Sequence, residues 1–354
     1  MAEEMDPDVE EGMPVMSRVW ITGVAGFLGS HLADALLAAG HEVGGNDNLS
    51  GGDRAYVPDG VEFRVLDCNQ RDQLAAAMAG YTHLVHCAAA PYEGLSFFSP
   101  HYITQNIVGA SCGAFSAAIG SGVRRIVHCS SMARYGTQEP PFREDQRPAP
   151  QDPYGIGKLA TESLLRNLCE THDIEYSIAV PGNIIGPRQA YDDPFRGVTS
   201  IFINLALQGR ELIIFGDGCQ ERRFAPVDSC VYALHTMLFR DGINGEVINI
   251  GPEAGSAVPI NILAELVWLA CGYNDSTAKK RYVPERVGDV KHAYCSVEKA
   301  RKLLGFNSNG MSLDQCIDAM VDDIRKRGPK EFNYDLPIEI RNGKTPAAWT
   351  ERYF

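Results

Sequence analysis

Tyr154 and Lys158 stand four residues apart in the segment DPYGIGK at 152–158. That spacing puts two side chains on one face of a helix. Pro153 suits a helix's first turn, where its missing N–H costs nothing, so a helix is predicted from there through about residue 170. Alone, such a pair reads equally as an exposed helix pair. Beside an oxidised nicotinamide it reads as an acid–base device. A neighbouring ammonium and a positive ring stabilise phenolate, so a phenol that ordinarily titrates near about 10 becomes a base close to neutrality.

Upstream, HCSSMARYG at 128–136 places Ser130 and Ser131 at the carboxyl end of an apolar run. Ligands gather at that end of strands in open α/β sheets. Ser131 reads as a hydrogen-bond partner for a substrate oxygen or as a turn cap. Further upstream, TGVAGFLGS at 22–30 spaces Gly23, Gly26 and Gly29 as G-x-x-G-x-x-G between a strand and a helix. Glycines there allow a tight turn and close backbone approach, and the helix N-terminus attracts a pyrophosphate. Asp47 closes the next strand, 18 residues beyond Gly29. A carboxylate at that separation reaches adenosine ribose hydroxyls and repels a 2′-phosphate, which favours NAD over NADP. No arginine lies next to Asp47 in the sequence. Asp67, after the third strand, either meets the adenine or caps a helix.

These groups need elements to hold them. Strands are predicted at 18–22, 41–47, 61–66, 82–87, 124–130 and 174–180, alternating with helices at 31–39, 73–79 and 104–119. Alternation of this kind implies βαβ units and a parallel, doubly wound α/β sheet. After Pro181, glycine and proline become frequent. Helices are expected at 200–208, 229–238, 261–271, 297–304 and 312–326, forming a smaller lobe, with strands 212–215 and 247–250 rejoining the main sheet. The expected division is an acidic tail at 1–17, a dinucleotide-binding domain at 18–180, a substrate lobe at 181–327 and an extension, read as an extended arm, at 328–354.

Composition bounds the partners. The 354 residues are 45% hydrophobic and 22% charged, with net charge −13. That is ordinary globular composition and lacks the basic face that general nucleic-acid binding needs. No apolar run approaches the roughly 18–20 residues of a membrane span, and the acidic start MAEEMDPDVEEG is unlike a secretory signal. Ten cysteines are scattered without a C-x-x-C pair, so reduced thiols in a cytoplasm are expected rather than disulfides or a metal.

In order, TGxxGFxG, the strand-ending aspartate, Ser-Ser-x-x-x-Tyr-Gly and Tyr-x-x-x-Lys resemble the extended short-chain dehydrogenase/reductase superfamily over about 18–326. PGNIIGPRQ (181–189), GDGCQERRFAPVDSC (216–230) and PERVGDV (284–290) resemble its nucleotide-sugar epimerase/dehydratase branch, with UDP-glucose 4-epimerase-like proteins the nearest pattern. The resemblance implies a Rossmann-type sheet with a smaller C-terminal substrate-binding lobe. It implies that Gly23, Gly26, Phe27, Leu28, Gly29, Asp47, Asn48, Asp67, Cys68, Ala88, Ala89, Asn106, Ser130, Tyr154, Lys158 and Pro181 hold NAD. Ser131, Tyr154 and Lys158 would be catalytic. Glu93, Ser131, Tyr154, Asn183, Arg222, Arg286 and Asp289 would meet the nucleotide sugar, the arginines on its diphosphate. Each arginine reads alternatively as half of a surface ion pair.

Departures from the pattern are Arg223 for an aspartate, Ala225-Pro226 for x-Tyr, Val180 for an arginine and the loop PYEGLSFFS at 91–99. Relatives that dehydrate carry Asp-Glu after the hydroxyl residue; here Met132 and Ala133 follow Ser131, which favours 4-epimerisation. The alternatives are a 4,6-dehydratase or a 3- or 5-epimerase drawing its acid or base from Glu93 or His101, and a non-catalytic NAD-binding sensor. By the same resemblance, the residue gating room for an N-acetyl group aligns to Ala293, or with a one-residue slip to Tyr294. Relatives usually dimerise through helices matching 103–119 and 154–168, so a homodimer is expected.

Overall fold

A computed structural model of the chain describes residues 16–252, 257–274, 277–307 and 310–354. The expected tail thus lies almost wholly outside the described residues. The first half runs β1 (Arg18–Thr22), α1 (Phe27–Ala38), β2 (Glu42–Asp47), β3 (Glu62–Val65), α2 (Arg71–Ala77), β4 (His83–His86), α3 (Glu93–Ser96), α4 (Pro100–Thr104), α5 (Ala110–Gly120), β5 (Arg125–Cys129), α6 (Pro153–Thr171) and β6 (Glu175–Pro181). The second half runs β7 (Ile184–Ile185), α7 (Val198–Leu207), β8 (Leu212–Phe215), β9 (Glu221–Arg222), β10 (Ala225–Pro226), α8 (Val227–Phe239), β11 (Val247–Ile250), β12 (Val258–Pro259), α9 (Ile260–Ala270), β13 (Lys280–Val283), β14 (His292–Ala293), α10 (Glu298–Leu304), α11 (Leu313–Arg327) and α12 (Ala347–Thr350).

Seven strands form one sheet in the order β11-β6-β5-β4-β1-β2-β3, all pairs parallel. This is a Rossmann-type α/β sheet, and its order reverses between β1 and β4, where such sheets open a ligand crevice. Helices α1 and α8 pack together, as do α5 with α2 and α6, so both sheet faces are covered. Strands covered on both faces must be apolar throughout, and Val19–Ile21, Leu84–Val85, Ile126–Val127 and 178–180 are fully buried. Of the two strands expected to rejoin this sheet, β11 does so beside β6. Strand β8 does not: it pairs in parallel with β13 in a separate ribbon. The apolar run of β8 identified a strand, but the sequence of β13, KRYV, carries no matching apolar signal.

Buried apolar side chains form two clusters. One surrounds the main sheet and takes in α8, β11 and α10. The other gathers α7, α9, α11, β8 and β13, and recruits Tyr92, Phe98, Ile107 and Tyr154 from the first half. Residues 328–354 are no free arm. Asn333 N–H donates to the Asp192 carbonyl at 2.7 Å and Ile340 N–H to that of Phe98 at 2.8 Å. The Glu339 carboxylate accepts from the His101 and Tyr102 N–H groups at 3.0 and 2.8 Å. Helix α12 then buries Trp349 against Phe98, Phe195 and Phe215.

The main sheet also carries polar groups inside. His86 and His128 are register partners on β4 and β5 and stack at 5.4 Å. His86 bridges Thr22 Oγ1 (2.7 Å) and Ser111 Oγ (2.9 Å). Burial pulls its pKa down to about 3 from 6.5. A folded value below the unfolded one means that stability is complete above the unfolded pKa and is lost as pH falls through the window between them. Between pH 7 and pH 4 the native chain should therefore lose stability faster than a His86→Gln variant, by up to about 1.4 kcal/mol per pH unit. Parallel melting curves for the two proteins would sink this account of the buried ring.

Candidate active site

The glycine turn leads from β1 into α1. Gly23 takes φ +74°, and a Cβ there would lie 2.9 Å from the Ala88 backbone. A Cβ on Gly29 would run into the Gly23 carbonyl, so α1 can start this close to the strand only without side chains. The cradle fits a dinucleotide's pyrophosphate: it is narrow, backbone-lined and set at a helix N-terminus. Asp47, at the end of β2, accepts from Leu49 N–H (2.8 Å) and Ala25 N–H (3.2 Å). Burial nevertheless holds its pKa above the ordinary value. Asp67 accepts from Asn48 Nδ2 at 2.7 Å and Asn69 N–H at 2.8 Å, so it caps a turn and also faces the site. Asn106 sits in a π-helical turn, 105–109, which interrupts the expected 104–119 helix; its amide donates to the Tyr102 carbonyl at 2.8 Å.

Tyr154 and Lys158 sit near the start of α6. The Asp152 carboxylate caps this helix by accepting from Gly155 N–H at 2.8 Å, and Pro153 occupies its first turn. Tyr154 is 6% exposed and Lys158 3%. Lys158 Nζ donates to the Cys129 carbonyl at 2.8 Å, which pins the amine to the end of β5. Burial lowers the Lys158 pKa. It raises that of Tyr154 well above the ordinary phenol value; Glu93 adds to the rise and a hydrogen bond with Ser131 opposes it. The expectation of a lowered phenol is for Tyr154 beside both the amine and an oxidised nicotinamide; in the protein alone, burial is the dominant influence on the phenol. Ser131 Oγ also accepts from Ala133 N–H at 3.2 Å, so the residue caps this turn while lining the cavity.

Every residue that the resemblance assigns to cofactor, substrate or the Ser-Tyr-Lys set lines one cavity of about 540 Å³. At its substrate end Arg222 meets Asp289 at 2.8 Å and Arg286 meets the other carboxylate oxygen at 3.7 Å. Two guanidiniums share this one carboxylate, and Glu93 lies near enough to interact with both arginines. They are not surface pairs: Asp289 is 8% exposed, and Arg286 Nε is buried without a partner. Asn183, at φ +44°, donates to the Ala293 carbonyl at 3.3 Å. Ala293 lines the cavity, whereas the Tyr294 ring lies under Arg223 at 4.0 Å. Glu93 lines the cavity with its pKa raised by burial. His101 does not reach it and is exposed. The Ser130 hydroxyl is committed to Glu162, away from a ligand.

Several participants escaped the sequence reading. Arg196, from the loop after β7, reaches the cavity beside Gly51, and its charge bears on Asp47. An arginine thus does stand near that aspartate, brought by the fold. Arg196 lies over the Tyr92 ring at 4.9 Å, and Tyr92 Oη donates to Asp193 at 2.8 Å. Phe354 lines the cavity. Arg134 and Glu162 form an ion pair at 3.0 Å, 7% and 4% exposed, beneath the Ser131 turn. Only Arg196 carried a local signal, as a charge within a loop after PGNIIGPRQ; the others depend on long-range packing.

A dinucleotide cradle, a buried tyrosine–lysine–serine set and an arginine-lined wall define an enzyme that oxidises and reduces an alcohol with a bound nicotinamide. The profile of the NAD dependent epimerase/dehydratase family matches residues 19–251, and the chain belongs to that family, with NAD as its cofactor. It is 35% identical over 322 residues to the UDP-glucose 4-epimerase of Mycolicibacterium smegmatis, covering 88% of this chain and 99% of that one. A structure of the Thermotoga maritima UDP-glucose 4-epimerase with UDP-glucose superposes with TM-score 0.81 at 29% identity, covering 88% of this chain and 99% of the other. A UDP-N-acetylglucosamine 4-epimerase from Methanobrevibacter ruminantium, bound to UDP-N-acetylmuramic acid, gives TM-score 0.81 at 26% identity and the same coverage.

Among the described residues no helix is long and apolar enough to cross a membrane, and no group of three or more His, Cys, Asp or Glu is placed to hold a metal. The Arg134–Glu162 pair yields a test. Glu162→Gln should cost about 3–5 kcal/mol of unfolding free energy, because it strands a buried guanidinium. Arg134→Met with Glu162→Leu should cost less than the sum of the single changes. Additive losses in urea titrations would show the two groups to be independent.

Proposed function

We propose the following division of labour for an NAD-dependent nucleotide-sugar 4-epimerase. Gly23, Gly26 and Gly29 bring backbone to the pyrophosphate, and Asp47 takes the adenosine ribose. Phe27, Leu28, Asn48, Asp67, Cys68, Ala88, Ala89, Asn106 and Pro181 complete the cofactor walls. Arg222 and Arg286 take the substrate's diphosphate, where planar guanidiniums bind oxygens in pairs. Tyr154 Oη removes the proton of the sugar 4-hydroxyl and later returns it. Lys158, fixed by the Cys129 carbonyl, supplies positive charge, and Ser131 orients the oxygen. Bound NAD supplies the hydride acceptor and, after the 4-keto sugar has turned, the hydride donor.

The observation that carries the epimerase reading is the wall beside Ser131: Met132 and Ala133 line the cavity and cannot transfer protons. Dehydration needs such a group, and Glu93, which lines the cavity with its pKa raised by burial, keeps it as the second reading. Ala293, small and cavity-lining, supports a pocket with room for a UDP-N-acetylhexosamine as well as a UDP-hexose. The free thiols of all ten cysteines suit a reducing cytoplasm. We infer a homodimer as well, from the resemblance and from Ile156, an apolar side chain exposed on α6.

Purified full-length protein should interconvert the 4-epimers of UDP-glucose, of UDP-N-acetylglucosamine or of both, in a competition assay read by chromatography. A free 4-keto-6-deoxy product would transfer the assignment to the dehydratase. Tyr154→Phe should lower kcat by about 10²–10⁴-fold with little change in KM; an unchanged kcat would end the enzymatic role of this phenol. Light scattering should give about twice the chain mass of 38.7 kDa, and a single-chain mass would remove the dimer.

A further inference from the structure

We propose that Cys87 and Cys129 form an oxidisable dithiol in the floor of the cofactor site, which hydrogen peroxide closes to a disulfide that stops catalysis. The pair follows from register. His86 and His128 are opposite one another in the parallel β4–β5 ladder, so the next residues, Cys87 and Cys129, emerge side by side at the carboxyl end. Their sulfurs lie 3.6 Å apart. Neighbouring strands run about 4.8 Å apart, within the roughly 4.4–6.8 Å between Cα atoms that a disulfide spans. Closing the bond asks the sulfurs to approach by roughly 1.5 Å, which side-chain rotation supplies.

Reach and reactivity favour the same pair. Both residues are among those lining the cavity, Cys87 half-buried and Cys129 4% exposed, and the cavity is the route by which a small oxidant would reach them. The Cys87 thiol and the Lys158 ammonium hold the Cys129 thiol below its ordinary value, against the opposing pull of burial. The thiolate is the form that attacks peroxide. Attack by Cys129 Sγ on one peroxide oxygen breaks the O–O bond and leaves a sulfenic acid and one water. Attack by Cys87 on that sulfur forms the S–S bond and releases the second water. Two electrons pass from the sulfurs to the peroxide, and two thiol protons leave in the two waters. The closed bond acts on catalysis because the Cys129 carbonyl holds Lys158 Nζ.

The test uses the reduced, full-length protein with its cofactor, treated with excess hydrogen peroxide, then alkylated and digested. The expected results are loss of two alkylatable thiols, a mass decrease of about 2 Da, a Cys87–Cys129 linked peptide, and at least tenfold lower activity that dithiothreitol restores. Cys219→Ser, which removes an exposed thiol, should behave as the native chain does. Cys87→Ala and Cys129→Ala should give no linked peptide. Mapping on the native chain remains decisive if either variant fails to fold. Ten retained thiols, oxygen-adduct masses without a cross-link, a link to Cys230, or a linked protein of full activity would each overturn the proposal. The mapping result does not depend on which sugar reaction the enzyme performs.

Discussion

Desolvation governs the reacting pair, because Tyr154 and Lys158 share one pocket that disfavours the charged form of each. A phenol resists ionisation there and an amine resists protonation. In the proposed reaction a cationic ring beside the phenol would oppose this effect of burial, which would couple the basicity of Tyr154 to the presence of the oxidised cofactor. The surrounding structure serves to keep this pocket closed and its two groups in place: the Asp152 cap fixes the start of α6, the Cys129 carbonyl fixes the amine, and the buried Arg134–Glu162 pair supports the turn that carries Ser131.

The same reasoning reconciles an acidic protein with an anionic substrate. A net charge of −13 repels a diphosphate at long range, but screening confines that effect to about 10 Å at ordinary ionic strength. Inside the cavity the balance is local. Arg222 and Arg286 share the single carboxylate of Asp289, and the nearby carboxyls of Glu93 and Asp152 are shifted by burial toward their neutral forms. The cavity thus gathers two guanidiniums around one carboxylate at the wall where the diphosphate is proposed to lie.

Legibility followed sequence distance. The glycine turn, Asp47 and the Tyr-x-x-x-Lys pair each act through a backbone feature encoded within a few residues, so type and spacing placed them in one cavity. The strands of the main sheet were readable for a related reason: covered on both faces, they appear as continuous apolar runs. Features that depend on one distant partner stayed hidden. Strand β8 looked suited to the large sheet until β13, four residues of mostly polar sequence, was found beside it. Arg196 is far from Asp47 along the chain, and nothing local shows that the loop after β7 returns to the cofactor side. Spacing revealed the charge beside the phenol but not the depth of its burial, which by itself raises the Tyr154 pKa.

Residues 328–354 show how such hidden contacts shape the site. Their composition, with prolines and charges and no period, gave no reason to expect packing. Yet Glu339 accepts the backbone N–H groups of His101 and Tyr102 at the start of α4, Trp349 fills the space between Phe98 and Phe215, and Phe354 lines the cavity. Helix α4 leads through the π-turn to Asn106, and Phe215 lies under the Arg286 guanidinium at 4.9 Å. One segment therefore braces both a cofactor-side turn and a substrate-side arginine. A shift in its packing would reach both halves of the cavity together, through a stretch that contains none of the groups proposed to react.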